Sequence, residues 1–513
     1  MDDVLVGRRQ ADLILGECQR VLLHLPDNCI DSIVTDPPYE LGFMGSQWDK
    51  SGIANDPELW AQMCRVLKPG GHLLSFGGTR THHRMWCAIE DGGFEIRDMI
   101  TWLYGSGFPK SNNVARDIDD RLGAKREKIR IPLKDVRNHK SVKGGKGVAG
   151  GDRPFMERAR EAGYHERDAG IDVTPEAHKW HGWGTGLKPA VEPIVVARKP
   201  LDGTVADNVL AHGTGAINVD ANRVESEAAR PTFDPTAAGG KATYGPGQLG
   251  GSQRAGSTGQ GRHPPNVLIS HMPTCEQVGR RVQAGDRRGR GQGGRQGGFV
   301  GTGAPTGTAE HCGPVYGDEV VLSWHCDPAC PRGQLDAQVG PQRSGARRAA
   351  HTRHREEQRK VFGRWNDDGA PAYTEDADAD TGSVSRFFPT FYYGGKAPPN
   401  ERWFFCTDCS DAYPADHLER HGHGRDGWAH LIWHPTQKPL ELIRWLVRLV
   451  TRPGGIVLDP FAGSATTGAA SLAEGFRFLG IEMGRPFWRM GRRRLESDAP
   501  LFFQADNPCE VIE

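Results

Sequence analysis

Regular hydrophobic periodicity is confined to the two ends of this 513-residue chain, 1–110 and 434–495, and that confinement limits the folds open to it. Ile30 to Thr35 (I-D-S-I-V-T) reads as a buried strand that stops at Asp36-Pro37-Pro38-Tyr39. Pro57 to Leu67 reads as an amphipathic helix with Leu59, Met63, Val66 and Leu67 on one side. Lys68-Pro69-Gly70-Gly71 ends it, and His72 to Phe76 is the next strand. From His434 the pattern returns. Pro439 opens a helix carrying Leu440, Ile443, Val447 and Val450, and Ile456 to Leu458 is a strand ending at Asp459. Thr466 to Glu474 is a helix of small residues, and Phe476 to Ile481 is a strand ending at Glu482. Strand–helix–strand alternation of this kind marks an α/β fold with a parallel sheet.

The middle of the chain, 111–433, is different in texture. Gly-rich stretches (144–151, 239–261, 285–308) and an Arg-rich run (343–360) separate short ordered islands, Gly182 to Lys199 and Pro264 to His271 among them. The acidic stretch Thr374 to Thr381 has the composition of a linker. The expected organisation is therefore a catalytic half at 1–110, an insertion at 111–433, a second half at 434–495 and a tail at 496–513. No run approaches the roughly 18–20 apolar residues of a membrane span. Met1-Asp2-Asp3-Val4 lacks a signal peptide's basic start, so a cytoplasmic protein without membrane partners is expected. Eleven cysteines, several in close pairs, then suggest reduced thiols and metal ligands rather than disulfides.

The strand-end motifs carry the chemistry. In Asp36-Pro37-Pro38-Tyr39 the prolines fix the backbone and remove two N–H donors, leaving carbonyls free to accept. Asp36 adds a carboxylate acceptor and Tyr39 an aromatic face, features suited to an exocyclic amine on a planar base. In Asp459-Pro460-Phe461-Ala462-Gly463-Ser464-Ala465-Thr466-Thr467 small residues let a ligand approach the backbone at the start of a helix. Glu482 ends the following strand, where an acid is positioned for a ribose diol. Each motif has a plainer alternative, a strand-ending turn or a generic Gly-rich turn; their succession favours a nucleoside-cofactor site.

Together these residues resemble the S-adenosylmethionine (AdoMet)-dependent DNA amino-methyltransferases. Asp36 to Tyr39 is similar to the catalytic motif of that family, and Asp459 to Thr467 to its AdoMet-binding signature. His434-Pro435-Thr436-Gln437-Lys438-Pro439 resembles the block that precedes the signature, and Leu15-Gly16-Glu17-Cys18 a motif beside the adenine of the cofactor. Catalytic motif, long variable region, then cofactor motif is the order of the β group, which includes phage- and prophage-type methylases. The resemblance implies a Rossmann-like, circularly permuted methyltransferase sheet with a large irregular insertion. It implies methyl transfer to the N6 amino group of an adenine flipped out of duplex DNA. Asp36 and the Pro37 carbonyl would accept the amino hydrogens, with Pro38 shaping the turn and Tyr39 stacking on the base. Glu17, His434, Lys438, Asp459, Pro460, Phe461, Gly463, Ser464, Thr466, Thr467 and Glu482 would hold the cofactor. The D-P-P-Y form favours adenine over cytosine N4. The remaining alternatives are a DNA-binding relative that has lost catalysis and an RNA or protein amino-methyltransferase. A restriction endonuclease partner and an oligomeric state are not legible in the sequence. Position 465 is Ala where the family pattern has Gly, and it is expected in the first helical turn, where Ala is harmless.

Two cysteine clusters are candidate structural zinc sites. Cys406-Thr407-Asp408-Cys409, followed by Tyr413, Leu418, His421 and His423, is close to zinc-finger spacing. His271-x₃-Cys275 and Cys326-x₃-Cys330 form a second set, with Pro328 and Pro331 around the second pair. Free thiols are the alternative for both. The overall charge, 64 basic against 64 acidic residues, hides an asymmetry. Segment 111–200 carries +6 and 201–360 carries +4, while 1–110 carries −5, 361–433 carries −6 and 434–513 carries +1. The basic excess, which includes Lys140, Lys143 and Lys146, falls in the insertion, where a phosphate-binding surface is expected.

Overall fold

A computed structural model of the chain describes residues 1–42, 47–105, 107, 111–132, 164–224, 231–234, 253–257, 262–272, 275–283, 319–328, 330–339, 342–343, 381–382, 388–391, 403–407, 409–414, 431–434, 437–498 and 511–512. Lys140, Lys143 and Lys146 lie outside them. The chain divides into two units: 1–221 with 266–273 and 390–513, and 222–265 with 274–389.

The first unit is built on a ten-stranded sheet. Its strands in chain order are β1 (Ala11–Gly16), β2 (Ile30–Thr35), β3 (Leu67–Phe76), β4 (Glu95–Leu103), β5 (Val191–Arg198), β6 (Val267–Ser270), β7 (Thr390–Phe391), β8 (Ile456–Asp459), β9 (Arg477–Glu482) and β10 (Val511–Ile512). Their spatial order is β7-β6-β4-β5-β3-β2-β8-β9-β1-β10. All neighbours are parallel except β5, which runs antiparallel to β3 and β4. Every residue of β2 is buried. A strand covered on both faces has no solvent side, so its burial does not alternate, and its polar side chains, Asp31, Ser32 and Thr35, are satisfied inside the protein.

The island Gly182 to Lys199 supplies β5, and Pro264 to His271 supplies β6, so the middle region contributes strands to this sheet as well as the second unit. The helix expected at Pro57 forms as Pro57–Val66, with Asp56 accepting from the Glu58 N–H at 3.1 Å to cap it. The helices that follow β8 and precede it also form: Leu440–Val450 buries seven side chains, and Thr466–Ala473 lies so close to the sheet that a Cβ on Gly468 would stand 2.7 Å from the Phe478 ring.

The two ends of the chain meet at the β2–β8 seam, where Val457 pairs with Ser32 and Leu458 with Ile33. Buried Asp31 clamps that seam. Its carboxylate accepts from Lys68 at 2.7 Å, from Arg452 at 2.9 Å and from the Ile456 N–H at 2.8 Å. Three charge-assisted bonds to one carboxylate offset the cost of burying it. The Ser32 and Thr451 hydroxyls are 2.7 Å apart beside it. This junction aligns the C-terminal ends of β2 and β8, where ligands of open α/β sheets bind.

In the second unit, Glu276–Gln283 and Glu319–His325 form an antiparallel pair, and Pro331–Val339 is a helix. Pro231–Asp234 pairs with Gln253–Ser257, and Gln342–Arg343 with Thr381–Gly382. Among the described residues, no helix is long and apolar enough to cross a membrane.

Candidate active site

Asp36 follows directly on β2. Lys438, buried just ahead of the helix Leu440–Val450, brings its Nζ to 2.5 Å from Asp36 Oδ2. The other oxygen, Asp36 Oδ1, is buried and has no hydrogen-bond partner among the described residues. Lys438 also donates to the Tyr39 hydroxyl at 3.1 Å, and that hydroxyl donates to Glu192 Oε2 at 3.0 Å. Lys438 Nζ lies 3.5 Å from Glu192 as well, and its charge sits 4.8 Å from the centre of the Phe76 ring. Thr81 fixes the turn by donating to the Tyr39 carbonyl at 2.6 Å.

The electrostatics follow from this burial. Desolvation pushes the Asp36 carboxyl up, Lys438 opposes the rise and Glu192 adds to it. Desolvation, then the Asp36 and Glu192 charges, hold the Tyr39 phenol well above its ordinary value, so it stays protonated. Burial by itself would lower Lys438, but the two carboxylates more than offset it and the ammonium is held above its ordinary value. One cation therefore neutralises two carboxylates around a phenol, and leaves one carboxylate oxygen open.

The second motif stands beside the first. Asp459 Oδ1 accepts from the Thr35 hydroxyl at 2.7 Å and from the Phe461 N–H at 3.1 Å, and burial pushes its carboxyl up to about 6. Glu482 Oε2 accepts from the Gly463 N–H at 2.9 Å and Oε1 from the Gly484 N–H at 2.6 Å. Burial pushes the Glu482 carboxyl up to about 7. Gly463 has φ of +53°, and a Cβ there would come within 2.7 Å of the His434 ring, which meets the Phe487 ring edge-on at 4.8 Å between centroids. Ser464, Thr466 and Thr467 are buried, and Thr466 accepts from Arg494 at 2.8 Å. Phe461 packs on the core beside Pro460. Glu17 ends the turn after β1, whose Leu15 pairs with Glu482, and it holds an exposed ion pair with Arg20 at 3.2 Å.

Ala465 corrects an expectation. It is not in the first turn of Thr466–Ala473 but caps it in the left-handed region, at φ 54° and ψ 39°. That conformation costs a non-glycine residue about 1–2 kcal/mol. The methyl group is fully buried, packed with Leu13 and Leu472 in one cluster, and its burial returns about 0.8 kcal/mol. Ala465→Gly should therefore relieve strain while losing contact and gaining unfolded-state freedom. The net change expected in chemical denaturation is within about 1 kcal/mol.

Residue reading did not single out Glu192, Thr35, Thr81 or Arg494. Glu192 carried a signal, a lone acid in the apolar run of β5. The cysteine clusters fare differently. Cys275, Cys326 and Cys330 bring their sulfurs within 4.8 Å of one another in the second unit. His271 is buried in the first unit, directly after β6. Cys406 is buried at the end of the strand Trp403–Cys406, and Cys409 Sγ lies 3.6 Å from the Tyr413 hydroxyl. His421 and His423 lie outside the described residues.

The family model described as DNA methylase matches residues 30–168 and 378–492. The DNA adenine methyltransferase YhdJ of Escherichia coli K12 is 52% identical over 63 residues, 12% of this chain and 21% of that protein. The type II methyltransferase M.HpaI of Haemophilus parainfluenzae is 31% identical over 147 residues, 26% of this chain and 47% of that protein. The chain thus spans less than half the length of these curated relatives. Among solved structures, the M1.HpyAVI–SAM complex aligns with 94% of this chain and 98% of its own, at 12% identity and a TM-score of 0.31. The family match takes in both strand-end motifs, Asp36 to Tyr39 and Asp459 to Thr467, and on it the chain belongs to the DNA methylase family.

Proposed function

We propose that this chain transfers a methyl group from AdoMet to the exocyclic N6 amino group of a flipped-out adenine in duplex DNA. The observation that carries the reading is the open, buried oxygen Asp36 Oδ1 beside Tyr39, at the end of the strand next to Asp459. An amine entering there donates one hydrogen to Asp36 Oδ1 and the other to the Pro37 carbonyl. Its lone pair is then free to point away from both acceptors. Tyr39, held by Lys438, Glu192 and Thr81, offers its ring to the base. Lys438 keeps Asp36 in its carboxylate form. In the transfer the methyl–sulfur bond would break as the C–N bond forms, its electron pair leaving with the sulfur as a neutral thioether, and the amine's excess proton would pass to Asp36 or to solvent. Positioning supplies most of the acceleration, and no covalent protein intermediate is required.

The residues present fit the cofactor. Glu482 ends β9 with a carboxylate suited to a ribose diol, and the Gly463 turn has no Cβ to obstruct close approach. When bound, AdoMet supplies an electrophilic methyl group on a sulfonium. Glu17, His434, Asp459, Pro460, Phe461, Ser464, Thr466 and Thr467 line the same strand ends or the turns beside them. The DNA partner is proposed to meet the basic excess of the insertion, which makes its affinity fall as salt rises.

Incubation with tritiated AdoMet and duplex DNA, then hydrolysis to nucleosides, tests the reading. Label in N6-methyl-2′-deoxyadenosine is expected, and label in N4-methyl-2′-deoxycytidine, or none in DNA, overturns it. Glu482 adds a pH dependence. Below about 7 its carboxyl is protonated and is a poorer acceptor, so AdoMet affinity measured by calorimetry should fall about tenfold per pH unit below 7 and level off above it. The sign for the free protein is opposite. Between its ordinary value of 4.5 and about 7 the unfolded chain releases this proton and the folded chain retains it, so stability falls as pH rises through that window.

A further inference from the structure

Among the described residues, every cluster of buried hydrophobic residues belongs to the first unit. Among the described residues of the second unit, the only buried apolar side chains are Cys275 and Cys330. Small segments that bury few apolar side chains are commonly held together by a disulfide or a metal.

Backbone geometry delivers the thiols to one point. In the antiparallel pair Glu276 stands opposite His325, so Cys275 and Cys326 leave the same end of the ladder side by side. Cys330 is then returned by a tight turn, with its N–H donating to the Asp327 carbonyl at 2.8 Å. Its carbonyl accepts from the Gln334 N–H at 2.9 Å, at the start of the helix Pro331–Val339. Gly333 sits where a Cβ would stand 2.8 Å from Cys326, so the helix approaches the cluster as closely as its backbone allows. The Asp327 N–H donates to Cys275 Sγ at 3.3 Å. A backbone donor aimed at sulfur is the outer-shell contact that stabilises a metal-bound thiolate.

None of the three cysteines is in a disulfide. A tetrahedral zinc with Zn–S bonds of about 2.3 Å needs sulfurs roughly 3.8 Å apart, a spacing the cluster's 4.8 Å limit accommodates. We propose that Cys275, Cys326 and Cys330 hold a structural zinc ion as thiolates, and that this ion ties the strand pair to the start of the helix Pro331–Val339. Each thiol loses its proton to solvent as the metal binds, and no oxidation is involved. The proposal stands apart from the methyl-transfer reading.

Metal analysis of the purified full-length protein, after dialysis against a weak chelator, tests it. One zinc equivalent is expected to disappear in the Cys275→Ser, Cys326→Ser, Cys330→Ser triple variant. It is expected to remain in Cys406→Ser, Cys409→Ser. Cobalt substitution of the unmutated protein needs no variant to fold, and should give the sulfur-to-cobalt charge-transfer and intense d–d absorption of a tetrahedral three-thiolate site. An unmutated protein without zinc, a triple variant with undiminished zinc, or a disulfide among the three cysteines would each overturn the proposal.

Discussion

Asp36→Asn is expected to lower single-turnover methyl transfer by on the order of 10³ or more, while AdoMet affinity changes less than about threefold. The substitution is nearly isosteric, so the argument is about donors and acceptors. As a carboxylate, Asp36 accepts from Lys438 on Oδ2 and keeps Oδ1 open for an incoming amine. An amide has one acceptor oxygen and one donor NH₂. If the oxygen faces Lys438, the NH₂ faces the amine as donor against donor. If the amide turns over, the NH₂ faces the Lys438 ammonium. Either orientation places two donors together in a buried site, where an unmade hydrogen bond to a charged group is most costly. Tritium transfer to DNA and calorimetric AdoMet titration separate the two quantities. A variant within threefold of the unmutated rate would remove Asp36 from the chemistry. A large loss of AdoMet affinity would move it to the cofactor side.

The parts of the fold legible in the sequence are those whose physics is local. A strand buried on both faces shows no alternation with solvent, and the short runs Ile30 to Thr35 and Ile456 to Asp459, rich in Ile, Val and Leu, read as such strands. Their ends are marked by prolines that leave the ladder, which is why Asp36 and Asp459 stood out as site residues. Pairing between distant segments left no such mark. That β2 and β8 are neighbours rests on Asp31 reaching Arg452 and the Ile456 N–H, contacts more than 400 residues apart in sequence. The antiparallel position of β5 was equally hidden, and with it Glu192, which meets Tyr39 across 153 residues. Lys438 was read with the cofactor block because of the motif around it, but the ion pair with Asp36 gives it a second setting. Ala465 shows a limit of another kind. Its left-handed backbone is imposed by the turn, and a small residue followed by threonines is equally consistent with an ordinary helix start.

Lys438→Met is expected to move the acidic limb of the kcat/KM profile up by about 1–3 pH units, and to lower the rate at pH 7 by at least tenfold. The sign follows from the groups around Asp36. Burial and Glu192 both raise its carboxyl, and Lys438 is the charge that opposes them. With the ammonium replaced by a thioether, the opposition is gone and Asp36 stays protonated to higher pH. A protonated carboxyl has lost acceptor capacity at the point where the amine must donate, so activity returns only as pH rises far enough to ionise it. The fold should tolerate the change, because protonation removes the buried charge that a missing partner would strand. Glu192→Gln in the same background removes the like charge and should bring the limb part of the way back down. This compensation distinguishes an electrostatic role from a purely steric one, since shortening contacts at a second position has no reason to restore ionisation at the first. A profile whose acidic limb stays in place in Lys438→Met, with only the AdoMet concentration dependence altered, would assign Lys438 to cofactor binding instead.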